Sequence, residues 1–243
     1  MSDDFGEEEQ FPENYEEDFD QECVIDEGDD DVEFELPDDI DISQVVASAP
    51  EPKVKTKEEE IRETLMERFN PKGSAAIRLI EDYNMILRSD PKVNGFTAEP
   101  IQNNLFVWTV HLFGFEKKTP IYDDIQKYKK KTGRDYIEFE VSFPPNYPEV
   151  PPFVRVVRPR FLFHKGRVTV GGSICNDLLT MESWKPVYEI ESMLINLFSE
   201  ILSSDPRIDF SNTSPYSLEE AKAAYVRVAN DHRWKTSGWL PKH

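Results

Sequence analysis

Apolar and polar residues alternate over the middle of the chain, and this period of two predicts a sheet. The alternation is clearest from Tyr136 to Phe143, where Ile, Phe, Val and Phe are out of phase with Tyr, Glu, Glu and Ser. The predicted strands are Phe96–Ile101, Leu105–Phe113, Tyr136–Phe143 and Phe153–Val157. Because Gln102, Asn103 and Asn104 predict a turn between the first two, we expect a four-stranded antiparallel meander.

Helical periodicity is found on both sides of these strands and predicts an α+β domain. The predicted helices are Lys57–Phe69, about Ser74–Leu87, Val187–Leu202 and Ser217–Asn230, with a short helix in the polar insertion Lys117–Gly133. The second helix has an apolar face made of Ile77, Leu79, Ile80, Met85 and Leu87. Ser217 and Glu220 have the spacing of a capping box at the start of the last helix.

The net charge of −20 is concentrated at the start of the chain. Residues 1–41 contain 21 Asp or Glu and no Lys or Arg, which leaves 27 acidic residues against 28 basic ones in the remainder. We therefore expect a disordered acidic tail and linker over residues 1–56 and a folded domain over residues 57–243. The tail either keeps the protein soluble or binds a basic surface of a partner. The second interpretation is suggested by aromatic residues spaced among the acidic ones, namely Phe5, Phe11, Tyr15, Phe19 and Phe34.

Composition also excludes several classes of function. The chain opens with acidic residues and not with a signal peptide, and its most apolar run, Leu105–Phe115, is too short to span a bilayer. Neither part is strongly basic, so we expect no nucleic acid partner and no membrane. With two cysteines, Cys23 and Cys175, a disulfide framework is not expected. These features favour a reducing compartment, the cytoplasm or the nucleus.

Three unusual segments surround Cys175. The Pro-rich sequence FPPNYPEVPP ends 23 residues before it, GGSIC contains it, and Trp184-x-Pro186 follows nine residues after it. The Pro-rich segment is a strand crossover, a docking surface or both. A free cysteine is commonly buried and inert. However, Gly171 and Gly172 permit close approach of a backbone or a slender peptide, and a thiol without a neighbouring base suits thioester exchange.

The order and spacing of these segments resemble the ubiquitin-conjugating enzymes, and in particular their Q-type branch. FVRVV at Phe153–Val157, LLT at Leu178–Thr180, YEIESM at Tyr188–Met193 and YSLEEAKAAY in the last helix extend the resemblance over residues 74–240. It implies the ubiquitin-conjugating fold, with an N-terminal helix, a four-stranded antiparallel meander, a catalytic loop and C-terminal helices. Residues 57–243 would then be the catalytic domain.

The resemblance implies that an activating enzyme passes ubiquitin to Cys175 as a thioester. A ligase then promotes its transfer to a protein substrate, usually to lysine. ATP is used by the activating enzyme, and we expect no cofactor and no metal in this chain, which has no phosphate-binding glycine loop. The alternatives are a non-catalytic ubiquitin-binding or scaffold variant of the same fold, a different ubiquitin-like modifier, and transfer to hydroxyl groups.

The sequence departs from the family pattern near Cys175, as Q-type members do. Lys165, Gly166 and Arg167 stand where most members have His-Pro-Asn, whose asparagine supports the oxyanion. We expect His164, Asn176 or Arg167 to replace it in part. The family also places an acid after the helix that follows the tryptophan, and Asp205, with Asp209 behind it, is the matching residue. Asp205 is equally consistent with a helix-ending turn before Pro206.

The resemblance places ligase docking on the first helix, the Pro-rich bend and the loop after the tryptophan. Glu149 in the bend stands where a hydrophobic anchor is frequent, which argues against ordinary RING or HECT recognition. Lys185, Pro186 and Val187 form the other docking loop and retain its proline.

Overall fold

The computed structural model describes residues 55–242, and all the predicted helices and strands form in it. The helices are α1 (Lys57–Phe69), α2 (Ser74–Arg88), α3 (Pro91–Asn94), α4 (Pro120–Thr132), α5 (Ile190–Ser203) and α6 (Leu218–His232). The strands are β1 (Phe96–Ile101), β2 (Asn104–Leu112), β3 (Ile137–Ser142) and β4 (Phe153–Arg158). The predicted acidic tail lies outside the described residues, and the division at residue 56 stays a prediction.

The four strands form one antiparallel sheet in the order β1-β2-β3-β4, as the meander predicts. Gln102 and Asn103 make the predicted turn between β1 and β2, with φ angles of 48° and 62°. Two positive φ angles match the right-handed twist of a tight hairpin, and asparagine tolerates them well. Pro100 lies on the edge strand β1, next to the register shift between Pro100 and Ile101, and both are positions where proline is tolerated in a sheet.

The core lies between the sheet and helices α2 and α5. The apolar residues predicted for the inner face of α5 are all buried, and they are Ile190, Met193, Leu194, Leu197, Phe198 and Ile201. The Phe198 ring contacts Phe96 and Phe139 on the sheet, at centroid distances of 5.5 and 4.9 Å. Helix α5 therefore packs directly on the sheet through its buried face.

The predicted apolar face of α2 was partly wrong. Ile77 and Leu87 are 42% and 45% exposed, whereas Ala76, Leu79 and Tyr83 are buried. Each residue turns about 100° round a helix, so Ile77 faces solvent when its neighbour Ala76 faces the core.

Helix α5 begins at Ile190, three residues later than predicted. Val187 and Glu189 stay outside the helix, because Arg78 of α2 holds the carbonyl oxygens of Pro186 and Tyr188 in a loop, each at 2.7 Å. Between residues 55 and 242, no helix combines the length and the hydrophobicity needed to cross a membrane.

Candidate functional site

Cys175 is half-buried at the end of a loop that follows β4, residues 159–176, called here the Cys175 loop. Main-chain hydrogen bonds shape this loop. The Cys175 N–H donates to the Arg167 carbonyl at 2.9 Å, and the Ile174 N–H donates to Val154 of β4 at 3.2 Å. The Val156 N–H in turn donates to Gly172 at 2.7 Å. The position of Cys175 is therefore fixed from the sheet and from within the loop.

The two glycines before Cys175 allow α6 and the residues before it to approach the loop. A Cβ on Gly171 would lie 2.1 Å from the Glu220 carbonyl oxygen and 2.8 Å from Ala224 Cβ. Gly172 has a φ of 93°, and a Cβ there would lie 2.6 Å from the Tyr216 ring. The sequence predicts a close approach here, and the structure identifies the approaching group as the chain's own last helix.

The start of α6 is fixed by polar contacts to β4 and to the Cys175 loop. The predicted capping box of Ser217 and Glu220 is present. Glu220 also accepts two hydrogen bonds from Arg160 at 2.9 Å, and Arg155 donates to the Tyr216 carbonyl at 3.0 Å. These contacts hold α6 against the loop at the distance that the glycines permit.

A groove of about 560 Å³, called here the Cys175 groove, lies between the Cys175 loop and α6. Besides Cys175 it is lined from the loop side by Phe163, His164, Arg167, Val168, Thr169 and Val170, and by Ser204 after α5. From α6 it is lined by Ala224, Arg227, Val228, Asp231 and His232. The thiol is therefore accessible from a channel with apolar surfaces and several charged or titratable groups.

Burial raises the pKa of the Cys175 thiol, and Asp177 raises this pKa further, while the positive charge of Arg167 lowers it. No hydrogen-bond partner for the thiol lies among residues 55–242. Within residues 55–242, no imidazole is hydrogen-bonded to the thiol in the way that the base of a cysteine protease is.

His164 and Arg167 both line the Cys175 groove, as the expected role in supporting an oxyanion at Cys175 requires. Both have positive φ angles, 58° and 56°, so the loop turns sharply at these positions. The His164 ring contacts that of Phe163 with a centroid distance of 3.7 Å. Arg167 extends toward Glu200 of α5, with nitrogen and carboxylate oxygen 4.0 Å apart.

Asn176 is buried and does not line the groove. Its Oδ1 accepts the Leu178 N–H at 2.8 Å and caps a 3-10 turn at Asp177–Leu179. Its Nδ2 has no partner within the part of the chain that the structure describes. In this conformation Asn176 shapes the backbone after Cys175 and offers no donor to the groove.

Asp205 lies on the exposed turn after α5 and forms an ion pair with Lys165. This turn runs along the Cys175 loop, because the Gly166 N–H donates to Ser204 at 3.0 Å and the Leu162 N–H donates to Arg207 at 2.9 Å. Asp205 thus lies near the Cys175 loop, but its neighbour Ser204, and not Asp205, lines the groove. The supporting role expected for Asp205 stays a prediction.

The predicted docking residues lie on two segments that are joined to each other and to α2. The Trp184 indole donates to the Pro148 carbonyl at 2.7 Å, which connects the loop after the tryptophan to the Pro-rich bend. Arg78 connects the same loop to α2 through the Pro186 carbonyl. Glu149, Lys185 and Val187 are exposed on this joined surface.

The sequence analysis missed the contribution of α6 to the groove. Arg227, Asp231 and His232 line it from positions 52 to 57 residues after Cys175. Arg227 and Asp231 are four residues apart, as are Val228 and His232, so each pair lies one helical turn apart along α6. A signal was present in Ala221 and Ala224, small residues one turn apart that are buried where α6 meets the glycines.

Comparison with known proteins identifies relatives for this domain. The family model described as "Ubiquitin-conjugating enzyme" matches residues 78–232. Ubiquitin-conjugating enzyme E2 Q1 of Homo sapiens and of Mus musculus are each 34% identical over 167 residues, which cover 68% of this chain and 39% of theirs. Ubiquitin-conjugating enzyme E2 25 of Caenorhabditis elegans is 32% identical over 170 residues, 68% of this chain and 43% of that protein.

The chain thus spans about two fifths of the length of these relatives. Among solved structures, a ubiquitin conjugating enzyme E2 from Plasmodium falciparum aligns with a TM-score of 0.42 and 23% identity, over 54% of this chain and 86% of that one. The family match and the named relatives confirm the predicted family and its Q-type branch, and with the order of helices and strands they confirm the predicted fold.

Proposed function

Because this chain belongs to the ubiquitin-conjugating enzyme family, we propose that it accepts ubiquitin as a thioester on Cys175 and transfers it to a protein substrate, usually to lysine, with a ligase. The observation that carries the proposal is the half-buried thiol of Cys175 in an open groove, fixed by main-chain hydrogen bonds. The proposed partners are ubiquitin, a ubiquitin-activating enzyme, a ubiquitin ligase and the substrate.

The proposed reaction has two exchanges. The Cys175 thiolate attacks the thioester carbonyl on the activating enzyme, the bond to that enzyme's sulfur breaks, and the departing thiolate takes up a proton from water. A substrate amine then attacks the new thioester carbonyl, the carbon–sulfur bond breaks, and a proton passes from the nitrogen through water to the departing Cys175 thiolate. A thiol of raised pKa is a better nucleophile once ionised and a poorer leaving group. It therefore favours retention of ubiquitin until an acceptor arrives.

His164 and Arg167 are the candidates to stabilise the oxyanion formed in both exchanges, since they line the groove. Removal of one oxyanion-hole donor typically costs a factor of about 100 to 1000 in rate. Asn176 remains a weaker candidate, because it would have to leave its cap on the turn at Asp177. Alanine variants at the three positions, charged first and then followed as they discharge, would rank them.

Ligase docking is proposed on the joined surface of Glu149, Lys185, Pro186 and Val187. The support is that Arg78 and Trp184 fix both segments relative to α2, so the surface is ordered before a partner binds. The exposed, acidic Glu149 suits a ligase with a polar or basic contact at this point.

The test of the proposed function is a charging assay with ubiquitin, activating enzyme and ATP. We expect a thiol-sensitive adduct on the wild-type protein, and a thiol-resistant oxygen ester or no adduct on Cys175→Ser. Cys23→Ser is the matched control and should charge like the wild type. An adduct that survives loss of Cys175 but not loss of Cys23 would overturn the assignment.

A scaffold or ubiquitin-binding role is the second candidate, and the replacement of His-Pro-Asn by Lys165, Gly166 and Arg167 favours it. It predicts no adduct in the same assay, from a protein that unfolds cooperatively and still binds ubiquitin. Parallel reactions with other ubiquitin-like modifiers, each with its own activating enzyme, would separate this outcome from a different choice of modifier.

A further inference from the structure

We propose that Asp231, in the last turn of α6, binds the ammonium group of the incoming lysine and so makes the site selective for amines. This inference rests on the proposed function, because it concerns the acceptor of the Cys175 thioester. It places the acceptor-binding carboxylate on the last helix, and not on the turn that follows α5.

The position of Asp231 is fixed by the packing of α6. Asp231 lines the same groove as Cys175, from the opposite side. The Gly171 contact to Glu220 and Ala224 holds α6 against the Cys175 loop. A side chain in this part of α6 therefore reaches into the groove without any movement of the helix.

The chemistry of the groove suits a lysine side chain. Val168, Val170 and Val228 provide apolar surface for its aliphatic stem. Among the described residues that line the groove, Asp231 is the only carboxylate, and it is exposed and has no ion-pair partner within residues 55–242. The two arginines of the lining, Arg167 and Arg227, repel an ammonium, so this single carboxylate sets where a cation can bind.

Asp231 does not stabilise the helix that carries it. It belongs to the last turn of α6, where the carbonyl ends of the helix disfavour a negative charge. Since Asp231 forms no ion pair within 4.0 Å among residues 55–242, loss of its charge should leave the fold intact or slightly more stable. The carboxylate is thus available for an external cation.

Asp205 is less suited to this role. Its carboxylate is engaged by Lys165, it is exposed on a turn, and it does not line the groove. Asp205→Asn is therefore the matched control for Asp231→Asn, because both variants replace an exposed carboxylate by an isosteric amide.

In the proposed step, Asp231 holds the lysine ammonium, which loses a proton to water before the free amine attacks the thioester carbonyl. The carbon–nitrogen bond forms, the carbon–sulfur bond breaks, and the second proton lost by the nitrogen passes through water to the departing Cys175 thiolate. Because Asp231 acts on binding, its loss should raise the apparent KM for lysine and leave the maximal rate nearly unchanged.

The experiment charges the full-length wild type, Asp231→Asn and Asp205→Asn with ubiquitin and stops the ATP-dependent step. Discharge is then measured against free lysine and against hydroxylamine, a neutral nucleophile at pH 7.5. For Asp231→Asn we expect normal charging, discharge about two- to fivefold slower at low lysine concentration, as for a solvent-exposed ion pair, and an unchanged rate with hydroxylamine. High salt should remove the difference, and Asp205→Asn should behave like the wild type.

Equal losses with lysine and hydroxylamine, no loss with lysine, or a lysine-specific loss in Asp205→Asn would each overturn the inference. A wild-type protein that charges but discharges only to hydroxylamine would also overturn it and leave the thioester function standing. A wild-type protein that does not charge would overturn the proposed function itself, and the inference with it.

Discussion

Gly171 lies against the main chain of Glu220 so closely that a methyl group in place of its hydrogen would be 2.1 Å from the Glu220 carbonyl oxygen. Real Cβ atoms do not approach backbone oxygens at this distance, so the contact exists only because residue 171 is glycine. It joins the segment that carries Cys175 to the helix that forms the opposite side of its groove. The two sides of the groove are therefore one packed unit.

Gly171→Ala should destabilise the protein by forcing α6 away from the Cys175 loop. We expect a loss of about 1–3 kcal/mol in the free energy of unfolding, the usual range for overpacking, measured by urea denaturation. Gly114→Ala is the control, because Gly114 has a φ of 76° but no atom within 4 Å of its added Cβ. It should cost at most about 1–2 kcal/mol from backbone strain alone. A smaller loss for Gly171→Ala than for the control would contradict the packing argument.

The reactivity of Cys175 should respond in opposite directions to its two charged neighbours. Burial, then Asp177, raises the pKa of the thiol, whereas Arg167 lowers it. In a Cys23→Ser background at pH 8, Arg167→Ala should slow alkylation by iodoacetamide and Asp177→Asn should accelerate it, each by about twofold, as for exposed charges. For all three proteins the rate should rise with pH as the thiolate forms. Changes of the same sign in both variants would show that the loop had moved.

Arg78 should matter more to the stability of the protein than Arg62, an arginine of α1 whose ion pair is exposed. It is paired with Asp82, which is buried, and Asp82 also accepts a hydrogen bond from Tyr147 at 2.7 Å. Arg78→Ala leaves that carboxylate without its cation and should cost about 2–4 kcal/mol, near the range for a broken buried pair. Arg62→Ala removes an exposed pair with Glu81 and should cost less than about 1 kcal/mol.

Thermal and urea unfolding of the two arginine variants provide the measurement. Equal losses would mean that Asp82 is compensated by another group when Arg78 is absent. Replacement of Arg78 and Asp82 together by leucine should recover part of the loss, because no buried charge then remains.

Asp124→Asn should show a loss of stability that depends on pH. Burial raises the pKa of Asp124, but hydrogen bonds from Arg207 and from the Ile208 N–H, with nearby positive charges, bring it below its ordinary 3.8. A carboxyl whose pKa is lowered by folding stabilises the protein above that ordinary value, and this contribution disappears as the pH falls through the folded-state pKa. At pH 7 the variant should lose about 1–3 kcal/mol.

The comparison is made by urea unfolding at pH 7 and at pH 3, where the difference between wild type and variant should shrink. Asp135→Asn is the control, since Asp135 is exposed and its pKa is lowered mainly by Lys129. That variant should lose less than about 1 kcal/mol at pH 7. A difference for Asp124→Asn that stays constant with pH would contradict the assignment to charge.

Local periodicity predicted most of the fold because each of these helices and strands has one buried face, which repeats in the sequence with the period of the element. The face of α5 was predicted residue by residue, since Leu194, Leu197 and Phe198 recur with helical spacing. The face of α2 was predicted less well because Ile77 and Leu87 are apolar but exposed. Periodicity locates a buried stripe only where the opposite side of the helix is polar.

The site was predicted as far as it is local in sequence. Cys175, His164 and Arg167 belong to one loop, and the sequence placed them together. Asp231 and His232 lie more than 50 residues away, and they reach the groove only because α6 packs on Gly171. That approach depends on tertiary packing, of which the small residues Ala221 and Ala224 are the one sign in the sequence.

The Cys175 loop and the turn after α5 are joined by main-chain hydrogen bonds, from Leu162 to Arg207, from Gly166 to Ser204 and from Asp209 to Arg160. Any amino acid except proline can supply such bonds. Exposed residues between these hydrogen bonds can therefore be substituted without weakening the main-chain contacts that hold the Cys175 loop. Single substitutions at the groove surface can change the charge and shape of the groove while the stability of the domain stays almost unchanged.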